Sequence, residues 1–128
     1  IVMVNQNNIK EAIITHIEFI DYVEKVIKTM RETYPGKYHQ YRPIKDLKVT
    51  NTKITYLEED YNGDETDVTF PTSHLYLSEK ELIDVIQQEK EADKLAAEKK
   101  KKEREEANLA YKLSMLNKLA SELGKTVQ

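Results

Sequence analysis

The 128-residue chain holds 34% charged and 39% apolar residues at a net charge of −3, a polar balance for one small domain plus an extension. Residues 1–78 carry nine Lys/Arg against twelve Asp/Glu and residues 79–128 carry eleven of each, so neither part has the bulk charge of a duplex-binding protein. The absence of cysteine excludes disulfides, thiolate catalysis and cysteine-ligated zinc, and no apolar stretch approaches the ~20 residues of a membrane span.

Ile1–Val4 is too short for a signal-peptide core, and Met3 reads as a native start. The first element is a helix over 8–34. Asn8 and Glu11 stand at capping-box spacing, and Pro35-Gly36 ends the element. Ile9, Ile13, His16, Ile20, Val23, Ile27, Met30 and Tyr34 recur at spacings of four and three. Ala12, Ile17, Phe19 and Val26 widen this stripe, so the face is broad enough to pack on a sheet. His16 falls inside the stripe and reads as a core or rim histidine.

Period two then replaces period 3.6. Strands are expected near 46–50, 53–61 and 66–70, with tight turns at Asn51-Thr52 and Asn62-Gly63. Leu47 and Val49, Ile54 and Tyr56, and Val68 and Phe70 mark the apolar phases. Leu75 and Leu77 are placed at the sheet edge. The fold class that follows is α+β, with the N-terminal helix packed on a three-stranded antiparallel meander. A long charged C-terminal helix completes it.

That helix is the most distinctive element. Thr72 to Leu123 contains no Gly or Pro, Ser78 with Glu81 forms a capping box, and Gly124 offers a C-cap. Leu82, Ile83, Val85 and Ile86 anchor its first turns on the compact domain, 1–78. Residues 98–106 are a charged spacer without one apolar side chain. In the amphipathic end, 107–123, Leu109, Leu113, Leu116, Ala120 and Leu123 keep a four-three spacing, with Tyr111 and Met115 to one side. Such a block suits self-association or a groove on a partner, since isolated helices are marginal in water. A fold-back onto the domain would need a bend that no Gly or Pro supplies.

The segment 34–42 interleaves Tyr34, Tyr38 and Tyr41 with Lys37, His39 and Arg42. Tyrosine and arginine dominate protein interfaces, and the same mixture can stack bases and meet phosphates. Alternatively, one or two of the rings cover the core. Glu58, Glu59, Asp60, Asp64, Glu65 and Asp67 crowd the second hairpin. Asp60, Asn62 and Asp64 resemble the opening of a calcium loop, but Glu65 stands where glycine is needed and Pro71 where glutamate is needed. An acidic tip of this kind can dock on a basic partner surface or imitate phosphates, but the simpler reading is a solubilising hairpin tip protected against edge pairing. His16, His39 and His74 lack metal-ligand spacing, and Ser73-His74 lacks the glycines of a nucleophile elbow. The Lys99–Lys102 run, flanked by Glu98 and Glu103, reads as a solvated helix face. No catalytic residue, metal or cofactor is expected.

Val68-Thr-Phe-Pro-Thr-Ser-His-Leu-Tyr-Leu-Ser-Glu-Lys-Glu-Leu82, entering a Lys/Glu-rich helix, resembles small accessory proteins of tailed bacteriophages. The resemblance covers residues 45–106. It implies a bacterial cytoplasm during infection and a protein that binds and blocks or redirects a host protein, including defence systems. It transfers no catalytic residue. The expected function is a non-enzymatic interaction protein that oligomerises and engages a host or phage protein. The alternative is a nucleic-acid or nucleotide module using loop 34–42.

Overall fold

The computed structural model describes residues 5–127; Met3 lies outside them. The architecture is α+β: helix α1 (Gln6–Thr33), strands β1 (Ile44–Val49), β2 (Lys53–Glu59) and β3 (Glu65–Pro71), a 3-10 helix (Thr72–Tyr76) and helix α2 (Glu79–Val127). The sheet is an antiparallel meander in the order β1-β2-β3. The chain divides into two units, Ile1–Gln88 and Glu89–Gln128, so the first turns of α2 belong with the meander. Among the described residues no helix is long and apolar enough to cross a membrane.

In the first unit, the N-cap of α1 lies three residues before the expected one. Asn5 is the N-cap, and its side-chain oxygen accepts the Asn8 backbone N–H at 2.9 Å. Asn8 is therefore inside the helix, donating to the cap rather than forming it. Only the C-terminal half of the apolar stripe reaches the core, through Val23, Val26, Ile27 and Met30. Ile9, Ile13, Ile14 and Ile17 are exposed, and so is His16, which is neither core nor rim. The stripe outruns the structure beneath it.

Ile54 and Tyr56 from β2, with Val68 and Phe70 from β3, form the sheet's contribution to the core. These two strands pair in unbroken register from Lys53–Pro71 to Glu59–Glu65. Leu82 and Ile86 of α2 close the core, with Leu75 and Leu77 packed at its margin. Fully burying one such aliphatic or aromatic side chain stabilises by roughly 1.5–3 kcal/mol, so this cluster dominates the folding free energy of the unit. The Tyr22 hydroxyl donates to the Leu75 carbonyl at 2.6 Å and joins α1 to the 3-10 helix.

The first strand departs from the expected start at 46. It begins at Ile44 and carries a bulge: Lys45 pairs with Leu57 and Lys48 with Thr55, so two residues oppose one. Asp46 adopts φ 51° within the bulge, a left-handed conformation that a short acidic side chain tolerates better than a branched one. The extra residue shifts the alternation by one. Ile44 and Leu47, which a regular strand would direct to opposite faces, both pack on the core.

Both hairpins close through side-chain acceptors. Asn51-Thr52 forms the first turn, where Thr50 Oγ1 accepts the Lys53 N–H at 3.0 Å. The second is longer than a two-residue turn. The Asp60 N–H bonds the Asp64 carbonyl at 2.9 Å, with Tyr61, Asn62 and Gly63 between them. Gly63 takes φ +81° and Asn62 does not have positive φ, which is the three-residue form that ends in a left-handed glycine. The Asp60 carboxylate accepts the Asn62 and Asp64 N–H groups at 2.8 and 2.9 Å.

Helix α2 begins with the expected capping box. Ser78 Oγ accepts the Glu81 N–H, and Glu81 Oε1 accepts the Ser78 N–H, each at 3.2 Å. The Ser78 bonds hold the Glu81 carboxyl below its ordinary range. In the second unit every side chain from Glu91 through Gly124 is exposed. Gly124 does not cap the helix, which runs on to Val127. Glycine adopts helical angles as readily as left-handed ones, so it permits a C-cap without imposing one.

Candidate functional site

Segment 34–42 leaves α1 at Thr33 and divides its residues between the core and the surface. Tyr38 is 2% exposed and meets half-buried Tyr34 edge to face, with ring centroids 6.0 Å apart. Tyr38 thus belongs to the core, which corrects its assignment to a binding surface. Its hydroxyl-bearing ring is still reached from outside by Lys37, whose Nζ lies 5.7 Å from the ring centroid. Tyr41 is the opposite case, at 92% exposed. His39 and Arg42 are half-buried.

Arg42 points toward a polar cluster built around Glu58. This carboxylate is 1% exposed because β2 alternates strictly, with Ile54, Tyr56 and Glu58 all on the inward phase. Glu58 Oε1 accepts from Arg31 Nη2 at 3.1 Å and from the Tyr56 hydroxyl at 3.2 Å. Arg42 Nη1 lies 3.9 Å from the other carboxylate oxygen. Arg31 also stands 5.6 Å from the centre of the Tyr56 ring and donates to the Gln40 carbonyl at 3.4 Å. Burial first, and then the Glu58 charge, push the Tyr56 hydroxyl up to about 12, against a smaller opposing effect of Arg31. One guanidinium therefore ties α1, loop 34–42 and β2 together.

A cleft of about 520 Å³ opens between this loop and the second hairpin. Pro35, His39, Tyr41 and Arg42 line one side, and Asp60 and Tyr61 line the other. Tyr61 is fully exposed, so the loop and the hairpin each bring an uncovered tyrosine to the cleft. Lys45 pairs with Glu59 beneath the hairpin wall, and that bond raises the Lys45 pKa. A second cleft, of about 420 Å³, shares His39 and Arg42 and runs along Thr66 and Thr69.

The second unit presents the other predicted set. Leu109, Leu113, Leu116 and Leu123 are 51–64% exposed, and Met115 and Ala120 are exposed beside them. Leu119 extends the same face, forming a shallow apolar patch with Tyr111, Met115 and Leu116. It stands three residues past Leu116 and four past Met115, so helical spacing identifies it.

Arg31, Tyr56, Glu58, Tyr61 and Leu119 are thus the site residues that the sequence reading left out. Among the described residues, no group of three or more His, Asp or Glu side chains is arranged to hold a metal ion. Compared with known protein families, curated proteins and solved structures, the chain matches none.

Proposed function

We propose that this chain is a non-enzymatic interaction protein, phage-encoded, that self-associates through the 109–123 face of α2. Through loop 34–42 and the adjoining cleft it engages a host or phage protein, blocking or redirecting it in the cytoplasm of an infected bacterium. The observation that carries this reading is the run of exposed leucines in the second unit. Each fully buried leucine is worth roughly 1.5–3 kcal/mol, so a second copy covering four of them gains more than the usual cost of ordering an interface side chain. Apolar faces of this kind on a soluble helix mark contact with another protein.

The nucleotide alternative draws on Tyr41 beside Arg42. It loses weight because Tyr38 lies in the core, Arg42 faces Glu58, and Asp60 lines the cleft wall. A phosphate entering there meets carboxylates as well as guanidinium. The resemblance to phage accessory proteins favours a protein partner, and the missing nucleophile elbow in the sequence favours a non-enzymatic role.

Sedimentation velocity across a micromolar concentration series tests the self-association. The wild type should sediment as an oligomer and Leu113→Asp/Leu116→Asp as a monomer, with the Tyr38 and Tyr56 ring resonances of the first unit unchanged. A wild-type monomer throughout tens of micromolar (about the range of weak association) would defeat self-association and leave fold-back or a foreign partner for the leucines.

A further inference from the structure

We infer that the cleft between Tyr41 and Tyr61 is a binding site for a cationic peptide segment, held by its arginine or lysine side chains. This deepens the partner-binding half of the proposed function and rests on it. The volume of about 520 Å³ falls within the ordinary range of ligand clefts, roughly 300–1,000 Å³. Two tyrosines line it, one from the loop and one from the hairpin, and both side chains are left uncovered. An exposed tyrosine ring offers its negative π-face to a guanidinium or ammonium group.

The sign of the surrounding charge selects between a cation and a phosphate. Hairpin residues 58–67 carry six carboxylates and no lysine or arginine. Arg31 is hydrogen-bonded to Glu58 and Lys45 is paired with Glu59, while Arg42, its Nη1 3.9 Å from Glu58, lines the cleft beside His39 and is outnumbered by the hairpin carboxylates. Asp60, Asp64 and Asp67 make no ion pair among the described residues. Asp60 lines the cleft itself, with its carboxylate fixed by two backbone N–H groups of the turn. A bound cation therefore meets the turn-held Asp60 carboxylate in a cleft that Tyr41 and Tyr61 also line. A phosphate would meet the same carboxylate as a repulsion.

The test titrates the full chain with a capped octapeptide of four Arg-Gly repeats, following tyrosine ring resonances by NMR. A peptide of four Glu-Gly repeats and an eight-nucleotide oligothymidylate serve as controls. The arginine peptide should saturate, shifting Tyr41 and Tyr61, and the controls should not. Tyr41→Ala and Tyr61→Ala should each weaken it by about fivefold, the scale of an exposed cation–π contact, while the phenylalanine variants keep most of the binding. Asp60→Asn retains a side-chain oxygen for the turn and should still weaken the peptide by about threefold, as loss of a surface charge pair does. Absence of saturable arginine-peptide binding would overturn the inference. So would tighter binding of oligothymidylate, or full binding by the Tyr41→Ala/Tyr61→Ala double variant. Sedimentation of the same samples separates the two proposals: intact oligomers with no peptide binding sink the cleft alone, and peptide-binding monomers sink self-association alone.

Discussion

Arg31 of α1 reaches Glu58 of β2 across 3.1 Å, and both side chains are buried. Neither charge can return to water without moving the helix off the sheet. Breaking such a pair from one side leaves the other charge uncompensated, at a cost of about 3–5 kcal/mol. Glu58→Ala should therefore strongly lower the urea midpoint, because it also strips the Tyr56 hydroxyl of its acceptor. Glu58→Gln, which keeps an acceptor, should lose less. Adding Arg31→Met to Glu58→Ala should recover part of the loss, with a coupling of about 0.5–3 kcal/mol in a double-mutant cycle. Strictly additive losses would show that the two charges do not stabilise one another.

Tyr56 gives the first unit a distinctive alkaline limit. Its hydroxyl is raised from 10.0 to about 12 in the folded protein, so the unfolded chain loses that proton first. Stability contributed by neutral Tyr56 is complete below pH 10 and is lost progressively between about pH 10 and 12. The phenol dissociates more readily in the unfolded state, so the slope of stability against pH is negative there. Tyr56→Phe should be less stable at pH 8, having lost the bond to Glu58, and should show a shallower decline between pH 10 and 11.5. Parallel pH profiles of the two proteins would remove Tyr56 as the cause.

Segment 34–42 predicts opposite outcomes for its two central tyrosines. Tyr38→Ala removes a core ring and should destabilise by about 3–5 kcal/mol, on the scale of large aromatic truncations. Tyr41→Ala should change stability by no more than about 0.5 kcal/mol, as expected of an exposed position. The halves of α1 divide in the same way. Ile27→Ala should cost about 2–5 kcal/mol, whereas Ile13→Gln should leave the urea midpoint of the unit nearly unchanged.

Those contrasts show what the sequence could and could not reveal. Alternation in Ile54, Tyr56, Val68 and Phe70 identified the inward faces, and Ser78 with Glu81 marked a helix start that the reciprocal bonds reproduce. The same alternation places Glu58 inward, but grouping it with the hairpin acids concealed its partnership with Arg31. Periodicity along α1 reveals an apolar face without revealing how far another element lies beneath it, so Ile9 to Ile17 look like core positions. The bulge at Asp46 breaks the alternation that would have included Ile44 in β1. Tyr38 and Tyr41 are chemically identical in sequence, and only the turn after Thr33 separates core from surface. The cleft depends on Tyr61 coming beside that loop, a juxtaposition set by strand pairing rather than by any local motif.

The Asp46 bulge carries its own prediction. Its φ of 51° disfavours a β-branched side chain, for which the left-handed region is strained by about 1–2 kcal/mol. Asp46→Val should therefore destabilise the unit by that order, and Asp46→Gly should be neutral or stabilising in chemical denaturation. A tolerated valine would mean that the strand releases the bulge and shifts register. Backbone NMR would then show Ile44 or Leu47 leaving the core.

The helicity of the second unit should depend on protein concentration if the leucine face associates. Residues 98–106 have no apolar side chain to bury, and their pairs at i,i+4, such as Glu98 with Lys102, contribute only about 0.2–0.5 kcal/mol each. A helix sustained by those terms alone is marginal, because nucleation is costly and each added residue gains little. Covering Leu109, Leu113, Leu116, Leu119 and Leu123 on a second copy would anchor the distal end and hold the charged span helical between two fixed ends. Circular dichroism at 222 nm, normalised per residue, should therefore fall on dilution through the dissociation range. The tyrosine signal of the first unit should stay constant. In Leu113→Asp/Leu116→Asp the helical signal should already sit at the dilute value and show no concentration dependence. A wild-type signal that remains flat from micromolar to hundreds of micromolar, matched by the double variant, would mean that α2 holds its helix without a mate, and the leucines would then have to serve a foreign partner.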